Sequence, residues 1–235
     1  MSKTSACLIH GMGGLLLGVS LLGLSACIKT NAVPSRIDAS LLRGLPEGSR
    51  VPIDAALATS SAARRAYSRA RKETKLAGKS AELARNELSV VTHRVRIKRV
   101  TLAAVQRKEN AARLPKVEAE YAELLRIGSV ARYGLALSRR EHELAALQEL
   151  LCLEELRLAD ARVELARATA IEGIDVVAKK AVPLEDIRED ALFHERETKV
   201  AERRLADARS RMAQARADYE GALALMQQAE RIPRQ

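Results

Sequence analysis

The side chains with reactive chemistry are few: three cysteines and four histidines in 235 residues. Their neighbours decide what each can do. A helix that holds zinc for proteolysis carries two histidines four residues apart with a glutamate after the first. His194-Glu195 starts that pattern, but the position four after His194 is Thr198. His194 instead falls on an apolar stripe, where a polar layer that sets helix register is the expectation. His93 and His142 stand alone. The many carboxylates are spaced for arginine partners on helix faces, not as an acid-base pair. No Gly-x-Ser-x-Gly turn, phosphate loop or dinucleotide fingerprint occurs. The expectation is a protein that is not an enzyme and takes no metal and no cofactor.

Cysteine is more informative. Lys3 precedes an apolar run from Leu8 to Leu24, and the run closes on Leu24-Ser25-Ala26-Cys27. A positive start, an apolar stretch and small residues ahead of one point mark an export signal, and this run is too short and Gly-broken to read as a membrane span. Leu24, Ser25, Ala26 and Cys27 together resemble the lipobox of bacterial lipoproteins. That resemblance implies diacylglycerol on the Cys27 sulfur, cleavage before Cys27 and acylation of the new amine. Two or three acyl chains hold a protein on a bilayer far longer than one. In the enteric members of that family an Asp after the cysteine retains the protein at the inner membrane. Ile28 therefore implies the outer membrane, facing the periplasm. Residues 1–26 would be removed, Cys7 with them. Cys152 remains as a lone thiol in the apolar run Leu150-Leu151-Cys152-Leu153, which predicts a small buried hydrophobe rather than a disulfide.

The elements that position these groups are helical. Hydrophobic residues make up 47% and charged residues 30%, yet aromatics reach only 2%. Ala and Leu beside Arg and Glu, without the rings that fill compact cores, is the composition of long helix or coiled coil. Residues 27–53 differ. Pro34, Pro46, Pro52, Gly44 and Gly48 predict an extended tether of roughly 85 Å at full stretch. Alternatively Ile37, Leu41, Leu42 and Leu45 fold back onto the body as a short amphipathic turn.

From residue 54 to 231 the pattern predicts an all-α fold, a long antiparallel three-helix coiled coil. The helices are expected at about 54–113, 115–172 and 183–231, with a tail over 232–235. Asp54 would cap the first. Its three-four alternation runs from Ala56 through Ser60, Ala63, Tyr67 and Ala70 to Val91, Val95, Lys98, Leu102 and Val105. Val95–Val100 alternates like a strand but sits inside the heptads and is expected to be helical. A reversal belongs near Asn110–Pro115, because proline suits a helix start and displaces the residue before it. Gly128-Ser129 is the alternative reversal. The second seam runs from Val117 to Leu135, changes phase near Gly134, and resumes as Leu137, Arg140, Leu144, Leu147, Leu151 and on to Ala168, which predicts a stutter. Gly173 and Asp175 offer the next turn. The third seam runs from Leu184 and Ile187 to Met226 and Ala229, with acidic residues at its start where the helix dipole favours them.

Charge is concentrated. Residues 54–113 hold fifteen Lys and Arg against five Asp and Glu, whereas each of the other two helical segments is slightly acidic. Arg64, Arg65, Arg69, Arg71, Lys72 and Lys75 crowd the start of the first helix, and Arg94, Arg96, Lys98 and Arg99 its end. One reading is a solvated face partly neutralised by acids of the other helices. The other is a contact strip for an anionic envelope polymer, lipid or acidic protein. Nucleic acid is not expected as a partner, since no stacking aromatics accompany the charge.

Three functions follow in order. The first is a lipid-anchored structural or protein-interaction coiled coil of the bacterial cell envelope, self-associating or docking another helical envelope protein. The second is an accessory of an efflux or secretion system. Residues 128–132, 143–147 and 161–166 resemble the helical repeats of TolC-type outer-membrane efflux channels, though no barrel-strand pairs are visible. The third is a basic periplasmic holdase resembling the Skp chaperone, without that family's β-rich body.

Overall fold

The structure, a computed structural model, describes Ile37 and residues 39–107, 112–173 and 182–231. Within the compact unit Val33–Gln235 these form one short and three long helices. They are α1 (Ala39–Leu42), α2 (Glu47–Arg107), α3 (Leu114–Glu172) and α4 (Leu184–Arg231), and no strand occurs among the described residues. The fold is all-α, as the heptads require. At the helical rise α2 and α3 are each roughly 90 Å long and α4 roughly 70 Å.

α3 lies in the middle. Both α2 and α4 pack along it, antiparallel. Three polar ties at separated points fix the α2–α3 register. Ser60 Oγ donates to Asp160 Oδ1 at 2.5 Å, Thr74 Oγ1 to the Ala145 carbonyl at 3.0 Å, and Lys98 Nζ to Glu120 Oε2 at 2.6 Å. Between them the stripe on α2 is partly or fully buried at each expected position from Ala56 to Val105, and the rest of the helix is largely exposed. The corresponding stripe on α4, from Leu184 to Ala229, is likewise turned inward throughout. A strict seven-residue repeat on a left-handed pair allows no other face to be buried.

α3 differs because it serves two neighbours. Cys152, Leu153 and Leu156 pack with Tyr67 and Ala70 of α2, whereas Leu151, with Leu144 and Leu147 beside it, packs with Ala201 and Leu205 of α4. Residues 151–154 are consequently buried in succession, most of the way round the helix. The change of phase expected near Gly134 falls where the helix turns from one neighbour to the other, Gly128 lying by Val91 of α2 and Leu144, Leu147 and Leu151 packing on α4. The helix is continuous from Leu114 to Glu172, and the apparent slip is the pattern passing from the α2-facing row to the α4-facing row. Arg140, assigned to the seam, is exposed and bonds Glu143 at 2.6 Å.

The reversal between α2 and α3 falls between Arg107 and Leu114, with Pro115 at the start of α3. Gly128 is no turn. It is buried in mid-helix, and a Cβ added there would meet Val91 Cγ1 at 3.6 Å. α3 ends at Glu172, where the Gly173 amide bonds the Thr169 carbonyl. Asp175 lies outside the described residues.

One correction concerns the tether. Residues 39–53 are not extended. Ile37 and Leu45 are buried with Ile53 of α2, Ala168 and Ile171 of α3 and Ile187 of α4, and Leu41 and Leu42 pack against that cluster. The fold-back is therefore observed for Ile37 and residues 39–53, and residues 27–36 of the expected tether lie outside the described residues. α2 begins at Glu47 instead of Asp54 and runs through Pro52. An interior proline costs about 3 kcal/mol. Burial of three aliphatic side chains, worth about 1.5–3 kcal/mol each, offsets it. All three long helices contribute to this apolar end.

Candidate functional site

The body offers three places where chemistry or binding could concentrate: a charged layer inside, an open groove between α3 and α4, and the outer face of α2.

The charged layer lies between α3 and α4. Glu154 is only 7% exposed. Its Oε1 accepts from Arg157 at 2.6 Å, and its Oε2 lies 3.6 Å from His194 Nδ1. Nearby Glu164, also buried, accepts from Arg167 at 2.6 Å. His194 thus sits in a polar layer on the α4 stripe, where its spacing placed it. Each acid is matched by an arginine one turn later on the same helix, and the Glu154–His194 approach is what links this group to α4. Further out, Glu143 is shared by Arg140 and by Arg211 of α4, the latter at 2.8 Å. The Arg140 hydrogen bond first, then Arg211, holds its carboxyl below the usual range against the opposing effect of burial. Cys152 is buried in the α2–α3 interface, where Gln148 Nε2 reaches its sulfur at 3.7 Å. Burial pushes this thiol up, which makes it a poor nucleophile. Among the described residues no three His, Cys, Asp or Glu side chains converge on a point that could hold a metal ion.

Near the far end of α4 an open groove of about 550 Å³ is bounded by Arg126, Ser129 and Tyr133 on α3 and by Asp218, Leu225 and Met226 on α4. Tyr219 packs over Gly134, where an added Cβ would stand 3.4 Å from the ring. The groove lining holds neither a cysteine nor a histidine.

The outer face of α2 carries the basic residues that the sequence singled out. Arg64, Arg65, Arg69, Arg71, Lys72, Lys75, Arg94, Arg96 and Arg99 are all exposed. They do not form one line. With the seam as reference, they wrap the whole circumference left free by α3, so the feature is a collar and not a strip. Lys98 is the exception and a correction. It lies in the seam, and its hydrogen bond and then its charge hold Glu120 below the usual carboxylate range. Arg64 reaches Asp160 at 3.9 Å. Among the described residues the others have no ion-pair partner, so the acids of α3 that reach this helix are Asp160, at Arg64, and Glu120, at Lys98.

Spacing alone did not single out the apolar side chains within that collar. Leu76, Leu83, Val90 and Ile97 follow one another every seven residues and are all largely exposed. Their repeat is visible in the sequence beside the longer stripe of the same period, and burial assigns the seam to the longer one, as its spacing led one to expect. Leu24, Ser25, Ala26 and Cys27 lie outside the described residues. No described helix is long and apolar enough to cross a membrane. The residues likened to TolC-type repeats all lie on α3, the helix with neighbours on two sides.

Comparison with protein-family models, curated proteins and solved structures finds no match.

Proposed function

We propose that this chain is a lipid-anchored coiled-coil protein of the bacterial cell envelope, held through Cys27 on the periplasmic face of the outer membrane and acting as a structural or protein-interaction element. The observation that carries the proposal is Leu24-Ser25-Ala26-Cys27 closing an apolar run behind Lys3. The body is consistent with that role. Its polar groups are arranged to hold helices in register, its thiol is buried, and its accessible features are long charged helix faces.

The test is chemical. Growth of an expressing bacterium with a labelled fatty acid should label the chain, and mass spectrometry of its first tryptic peptide should find an acylated cysteine at position 27. Cys27→Ser should abolish both and release the chain from the membrane fraction. An unmodified, uncleaved N-terminus would overturn the proposal.

A further inference from the structure

We propose that the outer face of α2 is a docking surface for an anionic lipid bilayer, with Leu76, Leu83, Val90 and Ile97 dipping into the headgroup region and the surrounding lysines and arginines on the phosphates. These four side chains are 64%, 63%, 52% and 54% exposed, although each is large and apolar. An isolated exposed leucine needs no explanation, but four in a column do. At seven-residue spacing on a coiled-coil helix the column runs straight, and from Leu76 to Ile97 it is roughly 31 Å long. Ala55, Ala62 and Ala104 occupy the same column further out, exposed as well, so Arg69 is the one charged residue on it between Ala55 and Ala104.

The occupant follows from charge and from pattern. Lys72, Lys79 and Arg94 flank the column, exposed and without ion-pair partners among the described residues, while the exposed acids Glu73 and Glu87 share the Arg94 row. A second copy docking through the same face would bring one basic helix against another. A foreign helix would need two apolar positions per heptad to form a seam. Here the residues four after each apolar one are Ser80, Glu87, Arg94 and Thr101. The exposed charge of this helix is mainly basic, fifteen Lys and Arg against five Asp and Glu over residues 54–113. One apolar line on such a helix fits a surface in which a shallow apolar layer lies under negative charge, which is how basic amphipathic helices lie on membranes. The buried position of Ile37 adds a geometric argument that rests on the lipoprotein reading. Cys27 lies only ten positions before the buried Ile37, a reach of about 35 Å. That keeps the basic start of α2 within range of the bilayer that holds the acyl chains.

The surface itself is independent of acylation, and the experiment exploits that. All described helix contacts lie within the compact unit Val33–Gln235, so the unacylated chain Ile28–Gln235 serves as the probe. It should sediment with vesicles of phosphatidylglycerol and phosphatidylcholine, and not with phosphatidylcholine alone, with affinity falling as salt rises. Lys72→Gln, Lys79→Gln and Arg94→Gln together should weaken binding about a hundredfold, at roughly fivefold per cation. Leu83→Ser with Val90→Ser should weaken it about tenfold. The chain has no tryptophan, so Val90→Trp gives a reporter whose emission should shift to the blue on anionic vesicles only. Far-ultraviolet circular dichroism should be unchanged in every variant, because all these side chains are exposed.

Absence of binding, equal binding to neutral vesicles, or an indole reporter whose emission stays that of water overturns the proposal. So does binding that survives loss of the apolar pair, which would mark a simple polyanion strip. Concentration-dependent dimerisation abolished by Leu83→Ser would overturn it too and assign the face to a second copy. Failure of acylation at Cys27 would leave all these vesicle results untouched, so the two readings fall separately.

Discussion

Replacing Leu205 by alanine tests the arrangement in which α3 alone joins two otherwise separate helices. Leu205 is 3% exposed and packs with Leu151 and Ala201, with Leu144 and Leu147 alongside. Leucine-to-alanine changes in cores cost about 2–5 kcal/mol, more where the cavity cannot collapse. Here the interface is one helix deep and solvent lies on both flanks, so α4 can settle inward and the low end applies, about 2–3 kcal/mol. For a body of this size that lowers the melting temperature by roughly 5–10 °C. The distribution of the damage is more telling than its size. Because α2 and α4 each pack along α3 rather than along one another, loosening α4 at Leu205 leaves the α2–α3 seam intact. Hydrogen exchange read by mass spectrometry should speed up in α4 and change little from residue 60 to 105. A loss below about 1 kcal/mol, half the low end for such a change, or equal acceleration in α2, would refute the two-sided role of α3 and point to a closed bundle.

Other outcomes follow from the same contacts. Cys152 should resist thiol reagents in the native chain and react on unfolding, since burial both covers it and raises its pKa; rapid native labelling by a maleimide would contradict this. Ile37→Ser with Leu45→Ser should cost about 3 kcal/mol and accelerate proteolysis near Ile187, read by limited digestion, if the fold-back clamps the end of the body. Glu154→Gln should cost about 1–2 kcal/mol in urea titration, because Arg157 can turn to water whereas the buried side of the layer cannot. Acid should also weaken the body. Glu120 and Glu143 have folded pKa values below the ordinary value of 4.5. Their contribution is therefore present above about pH 4.5 and is lost as pH falls through the lower folded values. Lys98→Met should flatten that loss for Glu120, and an unchanged acid transition would contradict it.

Much of this molecule could be read directly from its residues. The stripes on α2 and α4 were legible position by position, because a helix with one partner buries one face and a period of 3.5 names that face. Pro115 marked a helix start for a local steric reason that needs no tertiary context. The basic excess of α2 was equally plain, and so was the expectation that His194 belongs to a polar layer. Other features depended on which elements meet. The pattern on α3 looked like a phase slip because two faces with different partners were superimposed on one string of letters, and only the neighbours separate them. Pro52 should have ended a helix, yet Ile53 and the fold-back through Ile37 and Leu45 gain enough by burial to carry α2 past it. Whether Lys98 was a free cation or a seam residue turned on Glu120 lying opposite it. Local periodicity and covalent sterics fix where this chain is helical. Which side of each helix remains open to a membrane or a partner is decided by long-range packing, since burial belongs to pairs of helices and not to any one of them.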